Sequence, residues 1–225
     1  MKSQLIAIEG LDGSGKTTQI GLLIEYLKGI GVETRFVHFP RVSEGIFGEL
    51  IAKFLRGEFG SVKDVHPQLV ALLFAQDRKD FAATIEDWLG SGYVVLMDRY
   101  VLSNLAFQCA KVADPDAKVA LRAWINELEY SYNRIPKPDF SFYLDVPFSF
   151  VQRALDKQRE GSHRDYLQGM DDIHEKDTQL QRDVKKEYES LITLDGTIEK
   201  IVCSDAGGGM RPIADIHGDI VARIN

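Results

Sequence analysis

Residues 9–18 read EGLDGSGKTT and fit the pattern G-x-x-x-x-G-K-[ST] through Gly10, Gly15, Lys16 and Thr17. No other feature constrains the fold as strongly. A backbone that turns on Gly10, Gly13 and Gly15 aims successive N–H groups into one concavity, and a helix starting there adds the positive end of its dipole. The ligand that fits is a nucleoside triphosphate, with Lys16 on its outer phosphates and the Thr17 hydroxyl on Mg2+. The flanks agree. Leu5-Ile6-Ala7-Ile8 is an apolar strand-like run, and Ile20, Leu23, Ile24 and Leu27 recur at helical spacing, so strand, loop and helix follow in the order this motif requires.

The same alternation continues along the chain. Strand-like runs lie at 5–8, 33–39, 93–98, 140–146 and 199–203, separated by helical patterns at 16–28, 44–56, 66–89, 103–111, 116–133, 148–158, 172–192 and 212–224. This predicts an α/β P-loop fold, a five-stranded parallel sheet with helices on both faces, forming a single domain over 1–225. A net charge of -7 provides no basic surface for a nucleic-acid polymer or an anionic membrane. No apolar run approaches the ~20 residues that span a bilayer, and the N-terminus enters the first strand without a signal peptide. A cytoplasmic chain is the expectation. Cys109 and Cys203 are far apart without metal-ligand spacing and read as reduced, buried thiols.

Ligands of such a sheet collect beyond the carboxyl ends of its strands. Four segments meet that condition: the loop at 9–18, Phe39-Pro40-Arg41, Asp98-Arg99-Tyr100, and the charged stretch beginning at Arg153. Asp98 closes an apolar run and reads either as the acid near the metal and its water or as a cap of the next helix. Beside it, Arg99 suits bidentate recognition of a second phosphate. Phe74 and Arg78 are four apart and share a helix face. They form a stacking slot for a ring, or Phe74 is core; the spacing leaves both open. Residues 153–182 carry both charge signs and two glycines, Gly161 and Gly169. They read as a solvated helix face or as a closing lid over about 153–172 with Arg153, Lys157, Arg159 and Arg164 as its cations. His163 and His174 lack partner spacing and read as surface residues.

Taken together the motifs resemble the thymidylate kinase family, from Leu5 to about Asp205. The carriers are EGLDGSGKTTQ at 9–19, FPR at 39–41, LLFAQDR at 72–78, DRYVLSNLAFQ at 98–108 and DIHEKD at 172–177. The resemblance implies phosphorylation of dTMP to dTDP with ATP and Mg2+, by a homodimer. It implies that Gly10, Leu11, Asp12, Gly13, Ser14, Gly15, Lys16, Thr17 and Thr18 hold ATP, and that Asp12 also contacts the sugar 3′-hydroxyl of dTMP and the region of the attacking phosphate. Arg99 would hold the dTMP phosphate and Phe74 would stack on thymine. Arg78 would bond the base edge or the acceptor phosphate. Phe39, Arg41, Ser103, Asn104, Phe107 and Gln108 complete the implied acceptor site. Glu175, with Asp172 beside it, would assist the metal and sugar side, so the implied metal set is Thr17, Asp98 and Glu175. Asp205 and Ala206 would edge the adenine.

Three positions depart from the family pattern. Gly13 stands where some members carry an arginine, so the catalytic cation is assigned to the lid, to Arg159 and Arg164 and then Arg153. Phe107 replaces a frequent tyrosine and still crowds a ribose 2′-hydroxyl. Val42 follows FPR where a polar or aromatic residue is common. The rivals are another nucleoside monophosphate or deoxynucleoside kinase and a P-loop ATPase or switch with no metabolite acceptor. Preference among dTMP, dUMP and ribose acceptors stays open.

Overall fold

The computed structural model describes residues 2–158 and 165–224. Its elements, in chain order, are β1 (Leu5–Glu9), α1 (Lys16–Gly29), β2 (Thr34–His38), α2 (Gly45–Leu55), α3 (Pro67–Gly90), β3 (Val94–Asp98), α4 (Val101–Cys109) and α5 (Pro115–Asn126). A π-helical turn (Glu127–Tyr132), β4 (Phe140–Asp145), α6 (Phe148–Gln158), a 3-10 turn (Asp165–Leu167), α7 (Ile173–Lys176), α8 (Thr178–Leu194), β5 (Ile198–Val202) and α9 (Ile213–Ile224) follow. Five parallel strands form one sheet in the order β2-β3-β1-β4-β5.

Strands β1 and β3 are apolar throughout apart from their terminal acids and are completely buried, as a parallel sheet covered on both faces demands. Helices α1 and α9 touch each other, whereas α4 contacts α3, α5 and α8 in a separate group. The strand register sets Asp98 opposite both Ile8 and His38, so the carboxyl ends of β1, β2 and β3 finish level with one another. β1 lies between β3 and β4, where the chain direction across the sheet reverses, and its loop opens at that crevice. A smaller apolar cluster of Ile51, Phe54, Leu55 and Val70 joins α2 to α3 and takes in Phe74, Tyr166 and Ile173.

Two predicted helices are divided. The pattern over 116–133 is α-helical only to Asn126 and then widens into the π turn, closed by the Asn133 amide donating to the Leu128 carbonyl at 2.8 Å. The pattern over 172–192 breaks at Asp177, which leaves helical geometry and whose carboxylate accepts from the Leu180 amide, starting α8 afresh. Helical periodicity is blind to both events, because neither changes which residues are apolar. Cys109 and Cys203 are free and buried. No helix among the described residues is long and apolar enough to cross a membrane.

Candidate active site

Beyond the strand ends lies a cavity of about 410 Å³. Its walls include Asp12, Gly13, Lys16, Thr17, Asp98 and Arg99 on one side and Phe39, Phe74, Arg78, Ser103, Asn104, Phe107, Gln108 and Glu175 on the other. Residues separated by up to 163 positions in the chain thus share one space.

The side that carries Lys16 is built on the loop after β1. Gly10, Gly13 and Gly15 all have positive φ, at 150°, 72° and 89°, the region glycine enters without steric cost. At Gly13 a Cβ would also come within 2.7 Å of the Ala154 side chain on α6. The structure therefore has a steric reason for glycine at that position. Lys16 is buried, and its ammonium donates to the carbonyls of Leu11 at 2.9 Å and Gly10 at 3.4 Å. Burial and the nearby Arg99 push its pKa down, against the pull of Asp98, Asp12 and Glu9. Asp98 is not a helix cap, since Tyr100 holds that position and makes no side-chain cap bond. Its Oδ2 lies 3.3 Å from His38 Nδ1, while its Oδ1 is buried without a protein partner. Burial would raise the Asp98 carboxyl, but Lys16 and His38 hold it below the usual range, so it stays an anion.

Arg99 stands between the two sides. Its backbone lies in the left-handed region, at φ 69°, fixed by its amide donating to the Ile8 carbonyl at 3.0 Å. One guanidinium nitrogen, Nη1, donates to the Gly10 carbonyl at 2.9 Å and the Ser103 hydroxyl at 3.0 Å; Nη2 donates to Asp12 Oδ1 at 2.6 Å. Burial alone would raise the Asp12 carboxyl; Arg99 and Lys16 overcome it and hold Asp12 well below the ordinary carboxylate range. Behind Arg99, the buried Glu9 accepts from the Tyr100 amide at 2.8 Å, the Ser103 hydroxyl at 2.6 Å and the Tyr188 hydroxyl at 3.1 Å. Burial raises the Glu9 pKa in spite of these donors. Sequence reasoning overlooked Glu9 and Tyr188. An acid closing an apolar strand was the available signal for Glu9, whereas nothing local marks Tyr188.

The opposite side is assembled from α3, α4 and the π turn. Phe74 lines the cavity while also resting on the α2–α3 apolar cluster, so the slot and core readings describe two faces of one ring. Arg78 is buried and donates through Nε to both oxygens of Glu129, at 3.1 Å each, and through Nη2 to Glu129 Oε1. Burial opposes its charge, but Glu129 outweighs burial and raises the Arg78 pKa. Asn104 donates through Nδ2 to the Ala71 carbonyl and to Glu129 Oε1, both at 3.0 Å, leaving a buried Oδ1 with no protein partner.

The reading of His174 as a surface residue is corrected. His174 is 6% exposed, stacked on Phe107 with centroids 5.2 Å apart and edge-on to Phe54 at 5.2 Å. Ring contacts from α2 and α4 override its polar sequence context. Burial and Lys111 push its pKa well down, so the ring is neutral. Lys111 lies 3.0 Å from His174 Nε2 and donates to Gln108 Oε1 at 2.8 Å. The solvated-face reading of 153–182 is corrected likewise at its end, where Asp172, His174 and Gln181 are all buried. Gln181 ties this segment to the loop, donating to Asp12 Oδ2 at 3.3 Å and the His174 carbonyl at 3.0 Å. Burial, with the Asp12 charge, lifts the Asp172 carboxyl to about 6.

The remaining assignments among the described residues fall outside the cavity wall. Leu11 and Ser14 are buried, Thr18 is exposed, and Gly10 and Gly15 shape the loop behind the lining residues. Arg41 is clamped on α3, its Nε donating to Asp77 Oδ1 at 3.0 Å and its amide to Asp77 Oδ2 at 2.9 Å. Arg153 is exposed on α6. Arg159, Arg164 and His163 lie outside the described residues. Among the described residues no group of three or more His, Cys, Asp or Glu forms a metal cluster. Mg2+ does not need one, because it keeps several waters and takes most of its other ligands from phosphate. The Thr17 hydroxyl position and the unpartnered Asp98 oxygen fit that mode of binding.

The comparisons with known proteins agree with this geometry. Residues 8–206 match the family model described as thymidylate kinase. A thymidylate kinase from Mycobacterium tuberculosis is 34% identical over 83% of this chain and 85% of its own length. That of Plasmodium falciparum is 32% identical over 99% of this chain and 90% of its own. A probable thymidylate kinase from Pyrococcus horikoshii is 33% identical over 100% and 97%. Among solved structures, thymidylate kinase from Candida albicans superimposes with a TM-score of 0.71 at 27% identity, covering 99% of this chain and 91% of that one.

Proposed function

From the premise that this chain belongs to the thymidylate kinase family, we propose that it transfers the outer phosphoryl group of ATP-Mg2+ to dTMP within the cavity beyond β1 and β3. The observation that carries the reading is Arg99, held between a phosphate loop and a second compartment lined by a ring, an arginine and two amides. A P-loop switch has no use for that compartment. A nucleoside kinase, whose acceptor lacks a phosphate, has no use for the guanidinium.

Phosphoryl transfer asks the protein for alignment and charge, with little covalent work. Lys16 and the loop amides neutralise the donor phosphates, and Arg99 holds the acceptor phosphate against them. Asp12, kept anionic, aims the Arg99 guanidinium and sits where the acceptor sugar enters. Mg2+ would be held by Thr17, with Asp98 and Glu175 near its waters, and would lend charge stabilisation to the phosphates. Phe74 supplies the stacking face for the base. Phe107 is fixed by His174 and by the Arg99 guanidinium 5.3 Å from its centroid, and bounds the sugar. The catalytic cation comes from Arg159 or Arg164, a reading supported by the lack of room for a side chain at position 13. The whole chain acts as one domain, as a cytoplasmic enzyme and a homodimer; two buried unpaired thiols support the compartment and family resemblance supports the dimer.

ADP release from ATP-Mg2+ with a panel of monophosphates tests this reading. The fastest release is expected with dTMP. Release that ignores the acceptor would identify an ATPase, and release with an unphosphorylated nucleoside would identify a nucleoside kinase.

A further inference from the structure

Tyr188 belongs to no sequence motif and is not part of the cavity wall, yet it is completely buried behind Arg99. Its ring, on α8, stacks on Tyr143 of β4 with centroids 4.6 Å apart, and its hydroxyl reaches Ser103 Oγ at 2.8 Å and Glu9 Oε2 at 3.1 Å. Ser103 spends its one proton on Glu9 Oε2 at 2.6 Å, so the Tyr188 hydroxyl is the donor at its own two contacts. The serine oxygen then holds two lone pairs for two donors, Tyr188 and Arg99 Nη1. Every valence of Ser103 is used. Arg99 thus rests on two supports of different character. Asp12, which holds Nη2, has a side chain 23% exposed at the cavity, whereas Ser103, Glu9 and Tyr188 are all buried. An acceptor phosphate arriving at Arg99 is a second anion and competes with Asp12 for the same guanidinium. The support that outlasts this competition is the buried one.

We infer that Tyr188 is a positioning residue for the acceptor phosphate, acting through Ser103 to keep Arg99 aimed while Asp12 gives way. Its hydroxyl fixes the serine oxygen from the side opposite Arg99 and supplies Glu9 with a donor, so the anchor under Nη1 is set before any ligand arrives. Such preorganisation places a guanidinium without reorganisation at the moment of binding. Removing the hydroxyl strips a donor from two buried oxygens, which then satisfy themselves by moving, and Ser103 moves out from under Arg99. The same helix backs the other support, since Gln181, two turns before Tyr188, donates to Asp12 Oδ2 at 3.3 Å. One face of α8 therefore stands behind both holds on the guanidinium. The inference rests on the dTMP kinase reading, in which Arg99 holds the acceptor phosphate, and adds a residue remote from the ligand on which that hold depends.

The test compares wild type with Tyr188→Phe, which keeps the ring against Tyr143 and removes only the hydroxyl. Turnover is measured at varied dTMP and ATP, and thermal melting verifies the fold. Inhibition of turnover by thymidine, which has the base and sugar without the phosphate, is measured alongside. In the folded variant the KM for dTMP is expected to rise at least about fivefold, with the KM for ATP and the inhibition constant of thymidine within about twofold. A smaller rise for dTMP overturns the inference. So does a matching rise for ATP or thymidine, because a purely structural role weakens all three together. Should Tyr188→Phe not fold, Tyr188→Met removes the same hydroxyl with a side chain that adapts to the space, and the same thresholds decide. Failure of both variants to fold assigns Tyr188 to the core and overturns the inference. Wild type turning over no dTMP overturns both this inference and the function beneath it, whereas active wild type with an indifferent variant overturns this inference alone.

Discussion

The two sides of the cavity are built by different means. On the phosphate side, the loop from Gly10 to Thr17 is one continuous segment, and Lys16 folds back on carbonyls only five and six residues away. On the base side, Arg78 reaches a carboxylate 51 residues distant, and Asn104 reaches the same group across 25. Local geometry sets the first, and the docking of α3, α4 and the π turn sets the second. A backbone cradle suits a ligand that every nucleotide shares, while a selective edge needs side chains held from several directions.

If that division is real, damage on the phosphate side should fall on kcat and damage on the base side on the dTMP KM. The largest effect is expected from the cations assigned to the proposed lid, where Arg159→Ala or Arg164→Ala should slow single-turnover transfer by about 10³ to 10⁵, as for an arginine finger. Neither variant slowing the chemical step by tenfold, about 1.4 kcal/mol, would return the catalytic charge to another group. Next comes Lys16→Ala, expected to lower kcat by about 10³ or more with an unchanged melting temperature, because Lys16 lines the cavity and its ammonium bonds loop carbonyls instead of packing in the apolar core. Near-normal turnover would break the comparison at its phosphate end.

Smaller effects belong to the base side. Phe74→Ala should weaken dTMP binding by about 1 to 3 kcal/mol while ATP binding stays close to wild type, as stacked bases generally show. Equal loss for both substrates would mean that the ring serves the α2–α3 cluster alone. The smallest effect is on stability. Burial draws the Lys111 ammonium from an ordinary 10.5 down to about 7. Between those values the unfolded chain carries a proton that the folded protein does not, so this group makes folding more favourable as pH rises. Denaturant unfolding of wild type and Lys111→Met from pH 7 to 9 should show wild type gaining on the variant, by at most about 1.4 kcal/mol per pH unit. A difference independent of pH would place the Lys111 ammonium in solvent instead of against Phe54 and His174.

Sequence alone determined the phosphate loop, the five strands, their parallel sense and the grouping of Asp12, Lys16, Asp98 and Arg99 at one end, since each depends on short-range periodicity and on where strands finish. Phe74 and Arg78 were legible as a pair because helical spacing places them on one face. Tertiary structure decided the rest. It buried His174 between Phe54 and Phe107, brought Tyr188 to Glu9 across 179 residues, and spent two nitrogens of Arg78 on Glu129. It also clamped Arg41 to Asp77, away from the cavity wall. Spacing in a chain states which residues can share a face, but the partner that fixes a buried polar group comes from whichever element docks there. That choice is made by packing, because a buried donor or acceptor left alone costs about 1 to 3 kcal/mol and so follows its partner wherever the chain brings it.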